Sequence, residues 1–421
     1  MFRKTLQVTS LDRRLVLRFD GAFMDVDVYV NGTKAAENHW WNPFSVDVTD
    51  LLDVGNNVIA VHVTVNQPNS RWYSSAGIQR KVWLDECEPE GTPGVELFKV
   101  TTPSIANEAG GLVTTRIGMK LTQEASVQIY VKDASGKTLA YGAAKGKDIQ
   151  KDLVVSSPEL WTCESDSPAL YYAEAMVDGK YRCRTRFGYR WLEFSKDGVS
   201  LNGESFKIKG FCIHEDTNCL GMEASKAADV WKIRKLKSIG CNAIRTCHNP
   251  FSKEFIDACD ENGMLVCYEL FDCWNITKEG NSYDFARNFE NCWADVIENS
   301  VNRDVNSPAV FCWVAGNEIQ LDEMDNSYIT SQISAIRTKI REFDESRPVT
   351  MGDATLKPAK LSCIVPYLDI IGCNYADSGE YATVRSLYSD MPIMGTEAYS
   401  SIHTRGIYAD NDESCFCTEL D

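Results

Sequence analysis

Apolar and polar residues alternate with a period of two through residues 1–86. Leu15, Leu17 and Phe19 alternate with Val16, Arg18 and Asp20, and Val26, Val28 and Val30 with Asp25, Asp27 and Tyr29. That spacing predicts half-buried strands, the second ending at the hairpin signal Asn31-Gly32. A third run sets Ile59, Val61, Val63 and Val65 against Ala60, His62 and Thr64. Short strands between Asn, Gly and Pro turns imply a β-sandwich. Residues 88–94, rich in Glu, Pro and Gly, read as a linker. Residues 95–190 repeat the β pattern more weakly, with Val127, Ile129 and Val131, at a length suited to a second, immunoglobulin-like sandwich.

After Phe194 the period changes. Ser205–Ile213 reads as a strand. Ala227, Val230, Ile233, Leu236 and Ile239 then recur at helical steps, and Gly240 stands where a C-cap belongs. Asn242–Thr246 is the next strand, Ser252 caps a helix that stops at Gly263, and Met264–Leu270 is a third strand. A helix over Asp284–Arg303 leads to four more strand-like runs: Ala309–Ala315, Pro348–Gly352, Asp369–Asn374 and Pro392–Glu397. Strands alternating with helices imply a parallel sheet, and no Gly-rich phosphate loop follows any of them. The expected fold is a (β/α)8 TIM barrel with seven strands visible. The expected domains are 1–88, 95–190 and 197–421.

Composition narrows the function. Forty-three basic against sixty acidic side chains give a net charge of −17, which disfavours nucleic acid and anionic membrane as partners. No apolar run approaches the roughly 18 residues of a spanning helix, and no signal core opens the chain, so a cytoplasmic setting is expected. The 16 cysteines sit mostly inside apolar runs without a Cys-x-x-Cys, which predicts buried free thiols and no zinc cluster.

In such barrels reacting groups lie at the carboxyl ends of strands. Those ends carry His214-Glu215-Asp216, Arg245 to Pro250, Glu269 with Asp272 and Trp274, Gly316-Asn317-Glu318, Asn374-Tyr375, and Glu397. Glu318 and Glu397 each close an apolar strand. Two carboxylates across a barrel mouth suit glycosidic bond cleavage, one as acid and one as ionised nucleophile. The same placement also fits a structural ion pair with Arg245.

Four segments carry a resemblance: Gly210-Phe-Cys-Ile-His-Glu-Asp, Asn242-Ala-Ile-Arg-Thr-Cys-His-Asn-Pro, Val314-Ala-Gly-Asn-Glu and Gly395-Thr-Glu-Ala-Tyr. In this order they resemble the successive signatures of glycoside hydrolase family 2, which includes β-galactosidases, β-glucuronidases and β-mannosidases. Phe19-Asp-Gly, Val28-Tyr-Val-Asn-Gly and the Arg71-Trp-Tyr stretch resemble that family's jelly-roll sugar-binding domain.

The resemblance implies a retaining exo-β-glycosidase acting on a β-linked sugar, with β-galactoside ahead of β-glucuronide. It implies Glu318 as general acid/base, Glu397 as nucleophile, Asn317 as partner of the sugar 2-hydroxyl, and Arg245 as the cation holding Glu397 ionised. It implies His214 and His248 as substrate contacts and Tyr375 as a donor to the nucleophile. Asn69 matches a loop that reaches the sugar, and equally reads as a turn asparagine after Pro68. Some members hold magnesium through a glutamate and a histidine after the third strand; here Cys273 and Asn275 stand there, so neither metal nor cofactor is expected. Ser400, three residues beyond Glu397, matches one group of galactosidases. Only 24 residues follow Glu397, and the family's first strands precede the motif found at Phe2, so the chain reads as short at both ends. A homo-oligomer, or an inactive piece that binds sugar only, remains open on this reading.

Overall fold

The computed structural model describes residues 1–72, 74, 76–89, 91–217 and 220–398, without the side chains of residues 181 and 182. Ser400 and the segment 407–421 therefore lie outside the described residues.

The first body is a β-sandwich. Strands Phe2–Val8, Gly55–Thr64, Asp25–Val30 and Thr33–His39 form one antiparallel sheet, and Phe44–Asp47, Arg14–Phe19 and Val82–Cys87 the other. The expected alternation is realised: Leu15, Leu17, Phe19, Val26, Val28, Val30, Ile59 and Val61 fill the shared core. Val30 pairs with Thr33 across Asn31-Gly32, whose φ values of 50° and 87° are the left-handed pair a two-residue hairpin demands. The second body is a five-stranded antiparallel sheet in which Leu112–Lys132 runs 21 residues between Thr138–Ser156 and Tyr171–Val177. Val127, Ile129 and Val131 lie in its core.

Seven parallel strands follow in sequence order: β1 (Gly210–Ile213), β2 (Ala243–Thr246), β3 (Leu265–Glu269), β4 (Val310–Asn317), β5 (Val349–Asp353), β6 (Ile371–Asn374) and β7 (Ile393–Glu397). Helices Lys226–Ser238 (α1), Lys253–Asn262 (α2), Ala286–Asp304 (α3), Asn326–Phe343 (α4), Pro358–Ile364 (α5) and Ser378–Leu387 (α6) intervene. Every side chain of β2 to β6 is buried, as parallel strands covered on both faces require. The α2 caps are those expected: Ser252 Oγ accepts from the Phe255 amide, and Gly263 is left-handed at φ 64°. A Cβ on Gly263 would meet the Ser165 carbonyl oxygen at 2.5 Å, so close packing as well as φ selects glycine there.

One expected strand divides. Glu204–Phe206 joins a small antiparallel sheet with Leu192–Ser195 and Gly198–Leu201, and only Gly210–Ile213 enters the barrel. Between them Asn242 hydrogen-bonds both the Lys207 carbonyl and the Lys209 amide, each at 2.8 Å, standing in for a strand partner. The outer strands β1 and β7 are less buried than the rest, with Phe211 52% exposed.

The β bodies are pinned to the barrel by charged and aromatic contacts. Arg80, from the first sandwich, reaches Glu215 and the Pro250 carbonyl. Arg186, from the second, spans Asp257, Asp260 and Glu261 at the end of α2. The described cysteines are all free thiols and mostly buried, with Cys212 exposed. No described helix is long and apolar enough to cross a membrane.

Candidate active site

Register brings the polar strand ends to one rim. Ile213 pairs with Thr246, Glu269 with Val314, Asn317 with Gly352 and Asn374 with Glu397, so the residues following each strand face a common opening. Glu318 and Tyr375 leave their strands in the left-handed region, at φ 44° and 53°, backbone strain of about 1–3 kcal/mol of the kind that gathers at working sites.

Arg245 is the hub. Its Nη1 donates to Glu397 Oε1 at 2.5 Å, and its Nη2 donates to Asn317 Oδ1 at 2.8 Å and lies 2.7 Å from Glu269 Oε2. Its side chain is 4% exposed and that of Glu269 fully buried. Burial alone would raise the Glu397 carboxyl. The Arg245 guanidinium, His248 and a hydrogen bond from the Tyr375 side chain outweigh it, holding Glu397 below the usual carboxylate range.

A second chain of bonds reaches Glu318. Asn374 Nδ2 donates to Asn317 Oδ1 and to Glu318 Oε1, each at 3.0 Å, while its own Oδ1 accepts from Thr396 Oγ1 at 2.6 Å. Asn317 Nδ2 donates to Asp272 Oδ1 at 3.1 Å. Asp272 also receives both Arg71 guanidinium nitrogens at 3.1 Å and Lys278 at 3.0 Å. Although burial opposes it, Lys278, His248 and Arg71 hold the Asp272 carboxyl far below its ordinary range.

The two histidines stand side by side. His248 Nδ1 donates to Glu269 Oε1 at 2.9 Å, and His214 Nδ1 to the Cys247 carbonyl at 2.9 Å; neither Nε2 has a hydrogen-bond partner among the described residues. Burial first and His248 second lower the His214 pKa, so its ring is neutral at neutral pH. Trp72, from the first sandwich, stacks on His214 at 5.1 Å and meets His248 edge-on at 5.2 Å.

The structure thus brings together Glu318, Glu397, Asn317, Arg245, His214, His248 and Tyr375. Asn69 is buried in its own loop, donating to the Asn66 carbonyl and accepting from Ser74, so it braces the segment that presents Arg71 and Trp72. Trp72 and Thr396 fall within segments that carry the resemblance, and Asn374 stands among the polar strand ends, but the sequence assigns none of them a role in the site. Lys278 carries no such signal. At the expected metal-free position Cys273 is buried and Asn275 exposed.

Residues 192–407 match the TIM barrel domain of glycosyl hydrolases family 2, and residues 95–190 match a further domain described as glycosyl hydrolases family 2. The chain belongs to glycoside hydrolase family 2. Among family 2 relatives, a β-galactosidase of Bacteroides ovatus is 32% identical over 97% of this chain and 53% of its own length. A putative β-glucuronidase of Formosa agariphila is 31% identical over 97% of this chain and 38% of its own. The crystal structure of a family 2 member from Bacteroides cellulosilyticus superposes with a TM-score of 0.87 at 29% identity, covering 94% of this chain and 52% of that one. A β-glycosidase from Bacteroides vulgatus gives 0.82 at 28%, covering 96% and 52%. The chain spans about half the length of most of these family 2 proteins.

Proposed function

We propose that the protein hydrolyses terminal β-glycosides, β-D-galactosides foremost, with retention of anomeric configuration. The observation that carries this reading is the ionised Glu397, bound to Arg245 and Tyr375 on the same rim as Glu318. Glu397 attacks the anomeric carbon, and Glu318 protonates the departing oxygen; a glycosyl ester on Glu397 results. Glu318 then takes a proton from water, which releases the sugar and restores both carboxyl groups. Asn317, fixed by Arg245, Asn374 and Asp272, presents its amide to the sugar 2-hydroxyl, a bond that strengthens as the ring flattens. His214, His248 and Trp72 form the wall against which the sugar rests, and Asn69 serves by bracing the Trp72 loop.

The proposal is tested with 4-nitrophenyl β-galactoside and β-glucuronide, with Glu397→Gln as control. Galactoside turnover well above the control supports it. Preference for the glucuronide moves the specificity to the second named activity of the relatives. Sugar binding with no turnover above the control marks the chain as a carbohydrate-binding piece and overturns the enzymatic reading.

A further inference from the structure

The end of the barrel opposite the rim carries a second concave surface. A cavity of about 410 Å³ lies there, between the second sandwich and the amino-terminal ends of β4 and β5. Val100, Thr101, Thr102 and Phe187 line it from the sandwich, and Pro308 and Arg347 from the barrel. Two guanidinium groups converge beside it. Arg190 Nη2 donates to the Val310 carbonyl at 2.5 Å, and Arg347 Nε donates to the same oxygen at 2.7 Å. Two like charges are thus held against one carbonyl oxygen.

The carboxylate between them is already fully engaged. Asp344 is buried; its Oδ2 accepts from Arg347 Nη1 at 2.7 Å and Trp313 Nε1 at 2.9 Å, and its Oδ1 from the Ser346 amide and hydroxyl. Arg190 has no ion-paired carboxylate among the described residues. Its Nε and Nη2 donate to the Pro308 and Val310 carbonyls, which leaves Nη1 without a described partner. Burial first and Arg347 second lower the Arg190 pKa to about 9, whereas the ion-paired Arg186 and Arg303 are raised. Glu193 also lines the cavity, but it is exposed, accepts from Ser200 Oγ at 3.2 Å, and pairs with neither arginine among the described residues. The wall of the cavity therefore holds a cation in excess.

We propose that this cavity is a second ligand site, which takes the carboxylate of a small organic acid with a ring-shaped or apolar body. The carboxylate accepts from Arg190 Nη1 and from the hydroxyls of Thr101 and Thr102, which have no hydrogen-bond partner among the described residues. Phe187, Trp191 and Leu192 supply the surface for the body. The volume lies within the range of about 300–1,000 Å³ usual for small-molecule sites. A neutral ring would leave the guanidinium without its counter-charge, and an inorganic anion would leave the apolar wall uncovered. The site stands at the far end of the barrel from Glu318 and Glu397, and it does not rest on the glycosidase reading.

Saturation-transfer NMR on the whole chain tests this, with benzoate as probe and benzamide, at equal ionic strength, as its neutral counterpart. Benzoate binds saturably with a dissociation constant on the order of 1 mM, and benzamide about tenfold more weakly or worse. Thr102→Glu sets a carboxylate in the cavity, at a half-buried turn position whose side chain has no described hydrogen bond. It weakens benzoate by about tenfold or more and leaves the melting temperature without probe unchanged or raised. Glu193→Gln removes the carboxylate at the mouth and tightens benzoate by about two- to threefold. No saturable signal up to about 50 mM, or benzamide bound as well as benzoate, overturns the proposal. So does benzoate binding that Thr102→Glu leaves unchanged, since the acid then sits elsewhere, such as at Arg245. If Thr102→Glu loses its native melting transition, Glu193→Gln decides, and binding no tighter in that variant overturns the site. Neither readout uses turnover, so a chain that cleaves no glycoside sinks the function proposal alone.

Discussion

Arg245 donates to Glu397 at 2.5 Å while lying 2.7 Å from Glu269, so one guanidinium serves a carboxylate at the opening and another at the buried base of the site. Replacing it with glutamine acts on both. Glu397 loses its main cation, its pKa rises, and more of it is protonated at a given pH. The acid limb of the kcat/KM profile therefore moves to higher pH, with kcat/KM falling by about a hundredfold or more near neutrality. Stability falls by about 3–5 kcal/mol because Glu269 is left buried with one partner fewer. An acid limb unchanged in the folded variant would show that Arg245 does not set the charge of Glu397.

Glu318 is assigned the proton transfer, which makes its removal sensitive to the leaving group. Glu318→Ala slows hydrolysis of an alkyl β-galactoside by about a thousandfold or more, since a poor leaving group needs protonation. A dinitrophenyl galactoside, whose leaving group departs unprotonated, loses far less in the bond-cleavage step. Equal losses on both substrates in pre-steady-state kinetics would remove Glu318 from this role.

Trp72 belongs to the first sandwich yet forms a wall of the site against His214 and His248. Trp72→Ala lowers kcat/KM by about ten- to a hundredfold through loss of the stacking surface. The far-ultraviolet spectrum stays unchanged. Wild-type kinetics in this variant would place the sugar elsewhere.

Asp229, on α1, is 5% exposed, and among the described residues its Oδ2 has no hydrogen-bond partner. Burial first, then Glu215, raise its pKa to about 7 against the opposing Lys232. A carboxyl raised in the fold is protonated there while the unfolded chain ionises. Stability from this group is therefore present at acid pH and is lost as pH rises from about 4 to about 7. Asp229→Asn removes that loss. It raises the barrel's stability by on the order of 2 kcal/mol at pH 8 and changes it little at pH 4, read as Tm at the two pH values. A gain equal at both would assign the effect to packing instead.

Much of this arrangement is readable from residue order. Alternation finds Leu15, Leu17 and Phe19 because one sheet face must be buried. Glu318 and Glu397 stand out because each polar residue ends an apolar parallel strand. The division of Ser205–Ile213 escapes such reading, since it depends on the distant Asn242 side chain filling the place of a strand partner. The role of Trp72 escapes for the same reason: its sequence neighbourhood is a sandwich loop, and only docking of that sandwich on the barrel rim brings its ring to His214. Helix α4 was readable in principle, as Ile329, Ile333, Ile336 and Ile340 recur at helical steps and are fully buried.

The central claim is that Glu397 bonds covalently to the sugar. Incubation with 2,4-dinitrophenyl 2-deoxy-2-fluoro-β-galactoside tests it, because the fluorine slows release of the glycosyl ester more than its formation. Mass spectrometry is predicted to show one added fluorogalactosyl group on the intact chain, mapped to the peptide bearing Glu397 and absent in Glu397→Gln. An adduct on another residue, or hydrolysis of ordinary galactosides with inverted configuration and no adduct, would contradict it.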